Sequence, residues 1–559
     1  MWMRRKRFWT VATGSGIWNW ELKGEEGRLH WLQTSLERVY PASPERECAV
    51  LDLIAARGER ASFQACVRNP GSRHSTARLA VEPANGLDVT VRRVGYVPMK
   101  HLNTDGDPEW EGPEHVPGFV PDPLFPEDAA VMGPRESHAF WITVHIPAEI
   151  EPGPHEIKLR FTLDDTELDE LTARIDIRPI TIRPAKDFPV THWFYADALC
   201  DWYKVEPYEE RFWAVVEPYM RDMAEHGGSS QYVPIFTPPT DGVKRPHQLL
   251  KVTAPSEGRY QFGFEDVRRW VKLARSRGAR YFEWTHLFSQ WGVKNALRIY
   301  RSNQDRDSLL WPPETEAISP VYREFLSQFL PRFGKFLSSE GLLDCSLFHI
   351  SDEPHGDEHI SNYRRAREMV RDLAPWMKTG DALSDIRFAR EGLTDIPIPS
   401  IATAKSFVDE GFPAWAYFCC GPRGKYLNRL MDTPLAKIRM SGWLFHRLRA
   451  RGFLHWGYNY WYKSQTQELI DPFTEQSGLA WPGWAYGDPF LVYPGPDGPI
   501  DSIRWEVFAE SLQDMALLQT LGVDPDDPAL AEIRDYDDFP KTEAWMRETR
   551  GNLFAAARN

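Results

Sequence analysis

Between Arg28 and Arg183 the chain reads as short strands, RASFQACVRN (60–69), LDVTVRRVGYVP (87–98), HAFWITVHIPAEI (138–150), HEIKLRFTLDD (155–165) and LTARIDIRPITI (171–182), several of which alternate apolar and polar residues with a period of two. Successive side chains of a strand point to opposite faces, so this alternation predicts half-buried antiparallel strands. Proline and glycine clusters, EPGPHE (151–156) and VPGFVPDPLFPEDAA (116–130), separate them as turns and one long loop. Together they predict a β-sandwich.

Beyond RPAKDFP, with a linker near Pro184 to Pro189, the rhythm becomes helix, short apolar strand, helix. Helical stripes are expected over 211–226, 264–277, 321–337, 360–374 and 435–450; Val321, Phe325, Phe329, Phe333 and Leu337 recur every fourth residue, with Pro331 interrupting. Eight candidate strands alternate with helices or loops: VTHWFYA (190–196), SSQYVPIF (229–236), ARYFEWTH (279–286), DCSLFHIS (344–351), WMKTGDAL (376–383), PSIATA (399–404), AWAYFCC (414–420) and FLHWGYNYW (453–461). A doubly wound sheet can be drawn from the same elements. Polar and aromatic residues gather at nearly every strand's C-terminal end, however, which is where barrels place their active sites. The expected fold is multidomain, α/β plus β: an N-terminal extension (1–27), an antiparallel β-sandwich (28–184), a (β/α)8 TIM-type barrel (185–525) and a C-terminal helical tail (526–559).

Composition narrows the partners. No stretch approaches the roughly 20 apolar residues of a membrane span, and the basic start MWMRRKRFW leads into TGSG and ELKGEEG rather than an apolar run. Six cysteines without zinc-ligand spacing fit a reducing cytoplasm and no disulfide scaffold. A net charge of -14 without long charged blocks argues against nucleic acid. The 23 tryptophans, in a chain with 13% aromatic residues, offer flat apolar rings for sugar faces as well as filling for a large core. No cofactor or metal is expected, and oligomeric state is left open.

The sharpest chemical feature is His349-Ile350-Ser351-Asp352-Glu353-Pro354, at the end of the fourth strand. Acid pairs occur elsewhere, as Asp169-Glu170 and Asp409-Glu410, but two carboxyl groups at the tip of a buried strand lose solvation. Mutual repulsion there can leave one ionised and raise the pKa of the other, giving an electrostatic stabiliser beside a proton donor. Pro354 biases Glu353 towards extended backbone.

The segments SDEP (351–354), AWAYFCCGPRG (414–424), LNRLMDTPLAKIRMSGW (427–443), GFLHWGYNYW (452–461) and GDPFLVYPGPDGPIDSIRWEVFAESLQDMALL (487–518) resemble glycoside hydrolase family 123 and its DUF4091 relatives. The resemblance implies a retaining β-N-acetylgalactosaminidase, exo-acting, that uses the substrate's own 2-acetamido group. It implies that Glu353 protonates the leaving oxygen and later activates water, while Asp352 orients the acetamido group. Adjacent acids suit that chemistry better than the two opposed carboxylates of ordinary glycosidases. An oligosaccharide or glycoconjugate is the expected partner.

Other strand tips supply candidate sugar-binding groups: Trp284 and His286 with Glu283, Asp381, Tyr417, Arg423, Trp456, Asn459 and Trp461. His192, Trp193 and Asp197 are weaker candidates, and Asp488 and Asp497 read as turn formers in a proline-glycine loop. Rival readings are a glycosidase for another β-linked sugar, a noncatalytic carbohydrate-binding protein, and a zinc peptidase on His355-Gly356-Asp357-Glu358-His359, which matches HxxEH. Pro354 and Gly356 place His355 in a loop before the helix, which disfavours the last.

Overall fold

The computed structural model describes residues 28–82, 86–103 and 110–557, so the extension expected over 1–27 lies outside the described residues. Strands come first: β1 (His30–Thr34), β2 (Val50–Arg57), β3 (Arg60–Arg68), β4 (Ser75–Val81), β5 (Asp88–Met99), β6 (Gly118–Phe125), β7 (Ala129–Met132), β8 (Ser137–His145), β9 (Gly153–Leu163), β10 (Thr166–Glu167) and β11 (Leu171–Thr181). One sheet runs β1-β3-β8-β5-β6 and the other β2-β11-β9-β4-β7, with β10 on β9. The described pairings are antiparallel apart from β2 with β11, which is parallel. Alternation reports which face a residue takes and carries no information on strand direction, so the sequence could not announce that exception.

Phe63, Ala65 and Val67 on β3 and Phe140, Ile142 and Val144 on β8 share one core with Ile157, Leu159, Ala173 and Ile175 of the facing sheet. Their neighbours Cys66, Ala139 and Trp141 belong to a larger core shared with the C-terminal half. Thus β8 is buried along all but its last residue, rather than half-buried. The expected long loop at 116–130 instead holds β6 and β7. Pro121 and Pro123 are tolerated because β6 is an edge strand, where a missing N–H need not cost a ladder bond.

The C-terminal half carries β12 (Val190–His192), β13 (Ser230–Val233), a hairpin of β14 (Lys251–Ser256) and β15 (Arg259–Gly263), then β16 (Tyr281–Trp284), β17 (Ser346–Leu347), β18 (Gly380–Ala382), β19 (Ile396–Ile398), β20 (Ala416–Tyr417) and β21 (Phe453–His455). A six-stranded parallel sheet runs β17-β16-β13-β12-β21-β20, and β18 and β19 form a parallel pair. Single parallel bridges, Phe348 to Thr379 and Ser400 to Tyr417, link that pair to both edges of the six. Helices Glu210–Glu225, Glu265–Ser276, Pro320–Ser339 and Gly356–Leu373 come between strands as expected.

Several details differ from expectation. The sixth strand is Ile396–Ile398, not PSIATA: the Ser400 carbonyl accepts from the N–H groups of Thr403 and Ala404, turning the chain into the helix Ala404–Asp409. Helix Pro320–Ser339 continues through Pro331, anchored by buried Tyr322, Phe325, Phe329 and Phe333, whereas Val321 points out. The stretch 435–450 splits into Leu435–Arg439 and Ser441–Arg447. Helix Ile503–Leu521 shows no one-sided stripe because it is buried nearly all round; its acids and Arg504 are paired, for example Arg504 with Asp122 at 2.9 Å. Among the described residues no helix is long and apolar enough to cross a membrane.

Candidate active site

The chain beyond β17 is clamped on both sides. Leu287 and Phe288 N–H groups donate to the carbonyls of His349 and Ile350, and Trp291 N–H donates to the Asp352 carbonyl at 2.9 Å. From the other side Glu353 N–H donates to the Ala382 carbonyl at 2.9 Å. These bonds deliver two consecutive carboxyl groups into one cavity, also lined by Trp193, Asp241, Gln290, Trp291, Tyr417, Cys419, Cys420, Trp456, Trp484 and Asp488. Asp352 is buried and Glu353 half-buried.

Glu353 has φ 44°, in the left-handed region, and not the extended backbone that Pro354 favours. A side-chain-bearing residue stays there only when its surroundings over-determine it. Here the bond to Ala382 fixes the backbone and the Tyr417 hydroxyl donates to Glu353 Oε1 at 2.7 Å.

The two carboxyl groups sit in different environments. Burial, and then the negative charge of Glu353, push the Asp352 carboxyl well above the usual carboxylate range; the Gln290 amide pulls the other way. Gln290 is itself oriented: its Oε1 accepts from Asp241 N–H at 3.0 Å and its Nε2 donates to Asp352 Oδ2 at 2.8 Å. Asp241 is held by the Tyr195 hydroxyl at 2.7 Å.

One wall is aromatic. Trp456 lies 5.0 Å from Trp484 and 5.3 Å from Tyr460, ring to ring, and its Nε1 donates to Asp488 Oδ2 at 3.0 Å. Asp488 Oδ1 is buried without a hydrogen bond, 3.6 Å from His455 Nε2, and burial pushes that carboxyl well above its usual range. Gly457 explains how Asp488 reaches the cavity: a Cβ there would lie 2.3 Å from the Asp488 carbonyl oxygen, so only glycine permits the two segments to touch. That close approach also ends the last strand at His455, short of the nine residues 453–461 read as strand. At the rim, Trp291 is 43% exposed.

Of the residues singled out from sequence, Asp352, Glu353, Tyr417 and Trp456 meet in the cavity, with Trp193 beside them. The others lie elsewhere. Trp284 is in the core, donating to Ser346 Oγ at 2.8 Å and packing on Phe333 at 4.8 Å. Trp461 is fully buried and donates to the Val492 carbonyl. Asn459 bonds both backbone groups of Tyr195. Arg423 braces loops through the carbonyls of Cys420, Pro482 and Gly483. His192 and Asp197 are buried outside the cavity wall. Asp241, Gln290, Trp291, Trp484, Asp488 and the two cysteines line the cavity without having been read as site residues.

Asp381 and His286 belong to a buried network. His349 reaches Glu283 at 2.8 Å through Nε2 and Asp381 at 3.1 Å through Nδ1, and Asp381 also accepts from Ile350 N–H and the Tyr363 hydroxyl. Burial opposes charge on His349, but the bonds to Asp381 and Glu283 outweigh it and raise its pKa to about 10. His286 stacks on this ring at 4.3 Å with neither of its own nitrogens bonded. His286, His349 and Asp381 offer ligand atoms within 4.8 Å of one another, but both His349 nitrogens already face carboxylates, leaving none for a cation. In the HxxEH pattern His355 precedes the helix and its ring lies 4.5 Å from that of His359, but its backbone N–H occupies His359 Nδ1. In another cleft, Glu59, Glu510 and Asp514 are paired with Arg439 or Arg550, so no free acid pair stands there.

Residues 193–521 match the profile of the catalytic domain of glycoside hydrolase 123. The fold is similar to that of a family 123 glycoside hydrolase from Clostridium perfringens, studied for the details of glycolipid glycan hydrolysis, with a TM-score of 0.72 at 13% identity over 95% of this chain and 98% of that one. A Bacteroides ovatus GH5 xyloglucanase gives a TM-score of 0.32 at 9% identity over 83% and 98% of the two chains, too weak a likeness to carry an argument. No curated protein matches the sequence.

Proposed function

Because this chain belongs to glycoside hydrolase family 123, and its substrates are therefore carbohydrate, we propose that it is a retaining, exo-acting β-N-acetylgalactosaminidase that works by substrate assistance. The observation that carries the reading is the buried Asp352 beside the half-buried Glu353 in the bend beyond β17, in an aromatic-walled cavity. In this reading Glu353 protonates the glycosidic oxygen as the C1–O bond breaks and the acetamido carbonyl oxygen attacks C1. Asp352 accepts a hydrogen bond from the acetamido N–H and offsets the positive charge of the oxazolinium. Glu353, now ionised, takes a proton from water as the water opens that ring. Two displacements at C1 give net retention.

The proton distribution supports such a sequence. Burial favours a neutral Asp352. An acetamido N–H donating to Asp352, as Gln290 already does, favours its ionised form, so binding shifts the shared proton towards Glu353, where the leaving oxygen needs it.

The reading includes a closed (β/α)8 ring: the single bridges beside β18 and β19 supply its two missing seams, and the cavity residues gather beyond the strands' C-terminal ends. Sandwich (28–184), barrel (185–525) and tail (526–559) are its units, with the sandwich bracing the barrel. Six free cysteines suit a reducing cytoplasm as the place of action.

The test is a panel of aryl glycosides, β-GalNAc, β-GlcNAc, β-galactoside and α-GalNAc, with the product anomer followed by NMR. Selective cleavage of β-GalNAc with retention is expected; inversion, or preference for a sugar without an acetamido group, overturns the reading. Trp291 adds a prediction, because an exposed ring at the rim suits stacking of a sugar beyond the cleaved one. Trp291→Ala should raise KM about tenfold (about 1.4 kcal/mol) for an oligosaccharide and change it little for a single-sugar aryl glycoside. Equal effects on both would rule out an outer stacking role.

A further inference from the structure

Cys419 and Cys420 come one residue after β20 and line the cavity that holds Asp352 and Glu353. Their sulfurs lie 3.8 Å apart and both are free thiols. The backbone on either side is fixed: Asn428 Nδ2 donates to the Cys419 carbonyl at 3.0 Å, and Arg423 Nε donates to the Cys420 carbonyl. Neither thiol has a part in the glycosidase chemistry above.

We propose that Cys419 and Cys420 form a modification site for hydroperoxides, which convert the pair into a disulfide between adjacent residues and thereby slow turnover. Cys420 is the attacking group. The bond from Cys419 and, against the opposing effect of burial, the Arg423 guanidinium bring its thiol down to about 7, whereas the bond to Cys420 and then burial hold Cys419 in the thiol form. The Cys420 thiolate attacks the peroxide: the O–O bond breaks, an S–O bond forms, and the departing alkoxide or hydroxide takes a proton. Cys419 sulfur then displaces water from the sulfenic acid, forming S–S and breaking S–O. The peroxide is reduced by two electrons and the dithiol oxidised by two. Closing the sulfurs from 3.8 Å to about 2.05 Å draws in the chain just after Tyr417, whose hydroxyl holds Glu353.

The bond-forming chemistry stands apart from the proposed function; only its effect on turnover rests on that reading. The folded enzyme is treated with hydrogen peroxide, then digested, and the tryptic peptide 406–423, which contains both cysteines, is weighed. Loss of two hydrogens is expected, with kcat/KM down at least tenfold and both restored by dithiothreitol. Cys419→Ser should trap a dimedone-reactive sulfenic acid at Cys420, and Cys420→Ser should react at least tenfold more slowly. Each variant is compared with its own reduced form. A peptide that keeps both hydrogens while other thiols oxidise overturns the site, and a disulfide that leaves turnover unchanged overturns the consequence. A chain that cleaves no glycoside yet still loses the two hydrogens separates failure of the functional reading from failure of this one.

Discussion

Glu353→Gln should lower kcat/KM by about 10²- to 10⁴-fold for glycosides with poor leaving groups, the range over which a positioned general acid contributes. Glutamine keeps the Tyr417 hydroxyl bonded through its amide oxygen, so the fold and the φ 44° turn should survive. An activated leaving group such as dinitrophenolate needs no proton, and its departure should be nearly unaffected. Release of sugar should still slow, because the same side chain activates water in the second step. The measurement is kcat/KM against leaving-group pKa: a steep dependence in the variant beside a shallow one in the wild type is expected. Parallel lines would remove Glu353 as the acid.

Tyr417 makes this assignment geometric as well as chemical. The proposed acid sits on a left-handed residue whose backbone is tied to Ala382 and whose carboxyl is tied to Tyr417, so its direction is set by the ends of β18 and β20. Catalytic groups gain from such fixed placement because less freedom is lost on reaching the transition state.

What was legible in the sequence follows from how each signal arises. Leu347, Phe348 and Ile350 are buried at and just beyond β17, shorter than the strand read over 344–351, and this apolar run still let the acids that follow it be picked out. Trp284 and Trp461 show where residue type fails. Glu283 faces the interior network, so the next residue on the strand must face away, and Trp284 meets Phe333 in the outer layer. A tryptophan at a strand tip is equally apolar on either side, and only register decides which. Asp241, Gln290, Trp291, Trp484 and Asp488 come from loops, where no periodicity reports direction. Asp488 was read as a turn former from its proline and glycine neighbours; contact with Gly457 turns that same loop into cavity wall. Edge position likewise admitted prolines into β6, and all-round burial hid the helix Ile503–Leu521, because both signals depend on neighbours distant in sequence.

Asp352→Asn should cost at least about 10²-fold in kcat/KM on 2-acetamido glycosides and far less on any glycoside lacking that group, since only the former need the amide oriented and its positive intermediate offset. Equal losses on both would contradict substrate assistance. The pH dependence should separate the two states of the enzyme. With Asp352 raised by burial and by Glu353, the free enzyme keeps above the ordinary carboxylate range the one proton that binding hands to Glu353, and it fails when that proton is lost. The basic limb of kcat/KM should therefore lie above about pH 4, and that of kcat, which reports the complex, should lie lower because the bound acetamido N–H favours ionised Asp352. Stability gives an independent readout with a definite sign. An acid whose pKa is higher folded than unfolded holds a proton that the unfolded chain releases, so it makes stability fall as pH rises from its unfolded value towards its folded one. Asparagine does not titrate and keeps an acceptor for Gln290. Asp352→Asn should therefore melt at a higher temperature than the wild type at pH 7, with the gap closing below about pH 4, measured by differential scanning calorimetry. A variant that melts lower at pH 7 would show that Asp352 is held as a stabilising charge in the free enzyme, and the proton would then have to rest on Glu353 before any sugar arrives.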